Sequence, residues 1–137
     1  MRLIVTVDDA YGVAFNQRRQ SRDRILTADM LQSLPSGTTL VVSPYSLPLF
    51  PDGAANLRVA EDPVDSLGEQ EIAFLERTNI RPLSESLTEL TVYRWNRRYP
   101  QDVSLGIVPS DVGMHLCERT EFVGSSHDTI TKEIYRK

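Results

Sequence analysis

A single cysteine, Cys117, is all the thiol that this 137-residue chain carries. No internal disulfide and no cysteine-based metal cluster can therefore form, which fits a reducing cytoplasm. Lysine is nearly missing too: of 15 cationic residues only Lys132 and Lys137 are lysines, and the rest are arginines. No apolar run approaches the ~20 residues that a membrane-spanning helix requires. The opening Met1–Val7 is too short, and too soon followed by Asp8 and Asp9, to read as a secretory signal. An excess of positive charge is also absent. The net charge is −4 and the pI about 5.1, which argues against non-specific nucleic-acid binding, since that shows as a basic domain. Repeats, low-complexity tracts and a domain boundary are not found. The sequence reads as one domain over residues 1–137, with 40% hydrophobic residues to build a core.

Against that acidic background one stretch stands out. Asn16-Gln17-Arg18-Arg19-Gln20-Ser21-Arg22-Asp23-Arg24 puts four arginines between a short apolar strand, Val13–Phe15, and an amphipathic helix that starts near Asp23. Guanidinium forks bind carboxylate and phosphate bidentately, and the free N–H groups of a helix start point the same way. The stretch therefore reads as an anion site in which Arg18, Arg19 and Arg22 hold the charge. Asn16, Gln20 and Ser21 orient the ligand, and Asp23 offers a catalytic acid. As an exposed anion ligand, Arg19 is replaceable by alanine with little loss of stability. The plainer reading is a solvated loop whose arginines pair with Asp8, Asp9, Asp23 or Asp29. Arg94-Trp95-Asn96 forms a second candidate, with Trp95 and Tyr99 able to stack a planar ring. There the plainer reading packs Tyr93 and Trp95 on one face of a strand while Arg94 faces water. Ser125-Ser126-His127 holds the residue types of nucleophilic catalysis, but sequence neighbours seldom make a working pair, and the segment reads as a turn before a strand. Cys117 reads as a buried or half-buried structural thiol.

The order of elements points to an α/β chain. Leu3–Val7 is apolar on both faces, as in the middle of a sheet. Asp23–Leu34 has helical spacing, with Leu26, Met30 and Leu34 at i, i+4, i+8 and a stop at Pro35-Ser36-Gly37. Strands are expected at Thr39–Ser43, Leu57–Ala60, Glu71–Leu75 and Glu89–Trp95, with a capped turn at Asp62–Leu67 and a short helix at Pro82–Leu87. Pro44–Asn56 reads as a loop or a single helical turn. The last third carries strand signals only, at Met114–Phe122 and Thr129–Tyr135, where Ile130 and Ile134 share a face in an edge-strand pattern. The expectation is a mixed, mostly parallel sheet with flanking helices and a β-rich C-terminus.

In this layout the chain resembles dihydrofolate reductase. Leu3–Val13, with Asp8-Asp9-Ala10-Tyr11-Gly12 as its turn, is similar to the opening of that family, and Leu40-Val41-Val42 to its second strand. Glu71–Leu75 looks like the strand that precedes the cofactor-binding turn, and Leu90–Tyr93 with Pro100–Val103 like a later stretch. His127–Lys137 is similar to the closing strand. The resemblance implies the fold and, for the family, a nicotinamide-dependent reduction. The motifs that carry that chemistry differ here. Glu76-Arg77 stands where the family has two glycines, and Ser43-Pro44-Tyr45-Ser46 where it has a Gly-Arg-x-Thr turn for the cofactor phosphates. Thr27 falls at its acidic helix position, with Asp23 and Asp29 one turn either way. The Arg-Arg-Gln-Ser-Arg-Asp run is also similar to that of a small uncharacterised bacterial family, some of whose members carry the label ribonuclease Z. With only His115 and His127, the dinuclear zinc site of that enzyme cannot be built here.

The sequence thus points to a small cytoplasmic protein of dihydrofolate reductase-like fold that binds an anionic or nucleotide-like small molecule through its Arg-rich loop. It names no cofactor, calls for no metal, and leaves an oligomer open. The alternatives are a divergent NAD(P)H-dependent reductase and a protein-interaction module whose Arg loop meets an acidic partner.

Overall fold

The computed structural model describes all residues from Met1 to Lys137. A strand that is apolar on both faces needs cover on both faces and a partner along each edge. β1 (Arg2–Val7) has both, since it lies at the centre of a seven-stranded sheet. β2 (Gly12–Phe15) and β3 (Arg18–Arg19) follow, then α1 (Arg24–Gln32), β4 (Thr39–Val42), β5 (Leu57–Val59), β6 (Glu71–Phe74), β7 (Glu89–Arg94), β8 (Val103–Ser104), β9 (His115–Phe122) and β10 (Ile130–Arg136). The large sheet runs β5-β4-β6-β1-β7-β10-β9. It is parallel from β5 to β7, with Leu3 opposite Ala73 on one side and Leu90 on the other. β10 then returns antiparallel to β7, and β9 antiparallel to β10. This is the mixed, mostly parallel sheet with a β-rich end that the sequence implies.

α1 is the single α-helix. Leu26 and Met30 pack with Ile4, Leu40, Phe74, Tyr93 and Trp95 to bury one face of the sheet. The other face is covered by loops carrying Ile80, Leu87, Leu105, Ile107 and Met114. Elsewhere the flanking layer consists of 3-10 turns, at Leu47–Leu49, Arg81–Ser86 and Pro109–Val112. Each of these has a proline at its first or second position, where the ring suits one tight turn and hinders propagation.

Three expectations are corrected. Arg18-Arg19 is not loop but the outer strand of a second small sheet, ordered β3-β2-β8. Asn16 and Gln17, at φ 53° and 64°, form the two-residue turn of its hairpin, and it is the ladder to β2 rather than any strand propensity of arginine that holds it. The outermost strand of the large sheet is β9, so Thr129–Tyr135 lies one strand in. Cys117, on β9, is exposed rather than buried, because this edge strand is uncovered along His115–Glu121 and only Phe122 at its end packs against the core.

Candidate functional site

The site grows from the cap of α1. Asp23 is extended (φ −156°) and its carboxylate accepts from the N–H of Ile25 (2.9 Å) and Leu26 (3.2 Å), as an N-cap should. The loop before β10 folds over the same carboxylate. Ser125 N–H (3.0 Å), Ser126 N–H (2.8 Å), Ser126 Oγ (3.2 Å) and the His127 ring at Nδ1 (3.0 Å) all converge on it. The side chain is 0% exposed. Burial by itself raises the carboxyl pKa, but the bonds from Ser126, His127, Ser125 and Leu26 outweigh it and hold the group well below the usual carboxylate range. Asp23 is therefore an acceptor that stays ionised. The catalytic acid expected from the sequence is not its role, because a carboxyl so held has no proton to give near neutrality.

Gly124 approaches this carboxylate closely. A Cβ added there would clash with Asp23 Oδ2 and lie 2.9 Å from Ile130 Cδ1. Asp23 is fixed by its donors and cannot yield, so Gly124→Ala is expected to destabilise the fold by about 1–3 kcal/mol. Urea denaturation of the variant beside the parent checks this, and an unchanged midpoint would show that the loop can lift.

His127 is buried and stacks on Trp95, with ring centroids 4.6 Å apart and planes 28° from parallel. Its Nε2 lies 2.9 Å from Ser21 Oγ and 3.2 Å from Tyr99 OH. With an ionised carboxylate on the Nδ1 side, the proton belongs on Nδ1 and Nε2 is left to accept from hydroxyls.

The arginines of the Arg-rich segment divide. Arg19 is engaged: its guanidinium donates to both oxygens of Glu76 (2.8 and 3.0 Å) and to the Tyr45 carbonyl (3.1 Å). The guanidinium groups of Arg18, Arg22 and Arg24 make no ion pair. Arg18, Arg19, Ser21, Arg22 and Tyr45 line a shallow depression of about 380 Å³. Arg22 and Arg24 also line a larger cleft of about 680 Å³, with Thr27 and Ala28 of α1, Pro48–Pro51 opposite, and Ser125 and Ser126 at the back. Arg22 thus stands between the two hollows.

The remaining sequence candidates have other work. Asn16 is a turn residue whose N–H donates to Asp102. The Gln20 amide donates to Asp8 and to the Pro100 carbonyl, which ties β3 to the turn after β1. Arg94 pairs with Glu133 and donates to Tyr11 OH. It does not face open water, because Glu133 on β10 and Tyr11 close over it. Asn96 bonds the Thr129 carbonyl and Thr131 Oγ1. Trp95 is covered by His127 and presents no free face to a ligand. Arg94, Trp95 and Asn96 line neither hollow. Sequence reading missed His127 because its partners lie about a hundred positions away, and no local pattern signals that pairing.

This arrangement of strands and helix is that of the dihydrofolate reductase fold. It superposes on a dihydrofolate reductase from Enterococcus faecalis, complexed with NADP(H) and RAB-propyl, with a TM-score of 0.66, at 10% sequence identity and over 98% of this chain and 94% of that one. No protein-family model matches the chain, and no curated protein does. At that identity the likeness shows the fold alone.

The turns at which the resemblance would place a dinucleotide are filled. Glu76, 4% exposed, takes both N–H donors of Arg19 and the Ser46 hydroxyl at 2.8 Å. Arg77 adopts φ 61° and lays its guanidinium 3.4 Å from the centre of the Tyr45 ring. The strand-end turns after β4 and β6 are thus bolted to each other through side chains where the family has glycine backbone. A carboxylate there also repels a pyrophosphate. These residues do not fit NADP(H) held in the family's manner.

Proposed function

We propose that this protein binds a small anionic or nucleotide-like molecule at the start of α1, with Arg22 as the central contact. The observation that carries this is the set of unpaired guanidinium groups, Arg18, Arg22 and Arg24, around two adjoining hollows on a chain of net negative charge. Asp23 makes no ion pair with them, because its carboxylate is engaged by N–H donors from the first turn of α1 and from the loop before β10. Pro48, Leu49, Phe50 and Pro51 add an apolar wall. A ligand with a flat or apolar body and a carboxylate or phosphate end suits that combination. Arg19 acts indirectly, by holding Tyr45, and Ser21 lines the depression beside them, while Gln20 braces the segment through Asp8.

A thermal-shift panel of phosphate, nucleotides, folates and NADPH tests the reading. Stabilisation by phosphate or nucleotides is expected. Arg22→Ala should then weaken binding by about 1.5–3 kcal/mol, the usual worth of a charge-assisted hydrogen bond. It should leave the melting temperature of the free protein nearly unchanged, since an exposed charge adds little. Stabilisation by NADPH alone would favour the reductase reading. No shift with any of them would favour an acidic protein partner.

A further inference from the structure

Ser21, His127 and Asp23 form a connected line: Ser21 Oγ is 2.9 Å from His127 Nε2, and His127 Nδ1 is 3.0 Å from Asp23 Oδ2. We propose that these three residues are a nucleophile, a base and its orienting carboxylate, and that the protein hydrolyses carboxylic esters whose acyl or alcohol part carries a negative charge. The three come from the β3–α1 connector, the α1 cap and the loop before β10, so the line exists only in the folded chain.

Four features separate it from a chance contact. The base is in the right tautomer, because Nδ1 faces a carboxylate that is kept ionised by backbone donors. The ring cannot turn, since Trp95 stacks on one face and Asp23 holds one edge. The base is shielded from water, at 2% side-chain exposure, whereas the hydroxyl that it faces is half-buried and lines an open depression. That depression also holds Arg18 and Arg22, whose guanidinium groups have no partner. They can orient an anionic group of the substrate, and they are the positive charge available to the oxyanion that forms during attack. Tyr99 OH, at 3.2 Å from Nε2, is a second donor to the base and holds the ring between turnovers.

The chemistry balances without a cofactor. Ser21 Oγ attacks the ester carbonyl carbon and its proton passes to His127 Nε2. The bond to the alcohol oxygen breaks as His127 returns that proton to the leaving alkoxide, which gives an acyl-Ser21 and a free alcohol. Water then attacks the acyl carbon and gives a proton to His127. The bond to Ser21 Oγ breaks, that proton restores the hydroxyl, and the acid is released. Asp23 remains a carboxylate and stabilises the imidazolium in each half.

The nucleophile stands on its own geometry, whereas the charge of the substrate rests on the anion-binding reading. The experiment separates them. The full chain is treated with an alkyl fluorophosphonate and the adduct is located by peptide mass spectrometry. In parallel, hydrolysis of p-nitrophenyl acetate and of its anionic hemisuccinate counterpart is followed. The expected result is an adduct on Ser21 that Ser21→Ala and His127→Gln abolish and Cys117→Ala does not. Ester hydrolysis should fall at least a hundredfold in Ser21→Ala, with circular dichroism unchanged. The hemisuccinate should be preferred at least tenfold, and Arg22→Ala should erase that preference. A folded protein with no adduct on Ser21, or one whose esterase rate survives Ser21→Ala, overturns the proposal, even if phosphate still stabilises the protein. An adduct on Ser21 with equal rates for both esters keeps the nucleophile and overturns the anionic substrate.

Discussion

Replacement of Asp23 by alanine is expected to destabilise the protein by about 3–5 kcal/mol, the scale of removing one partner from a buried, hydrogen-bonded charge network. The cap alone accounts for about 0.5–2 kcal/mol. The rest comes from what the carboxylate leaves behind. The N–H groups of Ser125 and Ser126 and the buried His127 ring lose their acceptor, at about 1–3 kcal/mol per unsatisfied group, relieved for the two serines by water in the cleft that they line. Asp23→Asn should fall between, since its amide oxygen replaces one acceptor while its NH₂ faces donors. The effect has a defined pH sense. The folded pKa lies below the unfolded value, so the stabilisation is fully present above about pH 4 and is lost as the pH falls through the folded value. Urea denaturation of parent and variant at pH 7 and at pH 3 measures both. The gap should be widest at pH 7. A difference under 1 kcal/mol at neutrality would mean that the loop before β10 does not depend on this carboxylate.

Arg19→Ala is expected to destabilise by about 2–4 kcal/mol, toward the low side for a buried ion pair because Arg19 itself is 21% exposed. Glu76 would keep the Ser46 hydroxyl but lose both guanidinium donors while still buried. Glu76→Ala should be milder, since Arg19 can swing into water. A double-mutant cycle gives the coupling, and its sign decides the matter. If Arg19→Ala instead leaves stability intact and abolishes anion binding, the guanidinium belongs to the ligand site, which is the expectation that the exposed-loop reading produces.

That contrast shows which parts of the structure are legible in a single sequence. The doubly apolar Leu3–Val7 forecasts a central strand because burial on both faces leaves no polar alternative. The Leu26/Met30 spacing forecasts α1 because periodicity is a local property. The start of α1 near Asp23 was also readable, because the change to helical spacing is local. Arg18-Arg19 was not readable as a strand, since its extended form is imposed by the ladder to β2. The division of the arginines between Glu76 and open solvent was equally hidden, because Glu76 lies 57 positions from Arg19. His127 is the strongest case. Its neighbours Ser125 and Ser126 suggested chemistry, but the serine that faces Nε2 is Ser21, and only the closing of β10 against β7 brings the two together. Side chains whose partners are distant in sequence carry no local imprint.

The centre of the sheet is also the first strand made. Leu3 is flanked by Ala73 and Leu90, so its two neighbours emerge 70 and 87 residues after it during synthesis. Until then Leu3-Ile4-Val5 lacks both of its strand partners, and only the early part of its cover, Val13, Leu26, Met30 and Leu40, is available to it. Such a topology has a high contact order, which slows folding toward the millisecond-to-second range and prolongs the exposure of an aggregation-prone segment. The newborn chain is therefore most vulnerable in the interval between the emergence of β1 and that of β7.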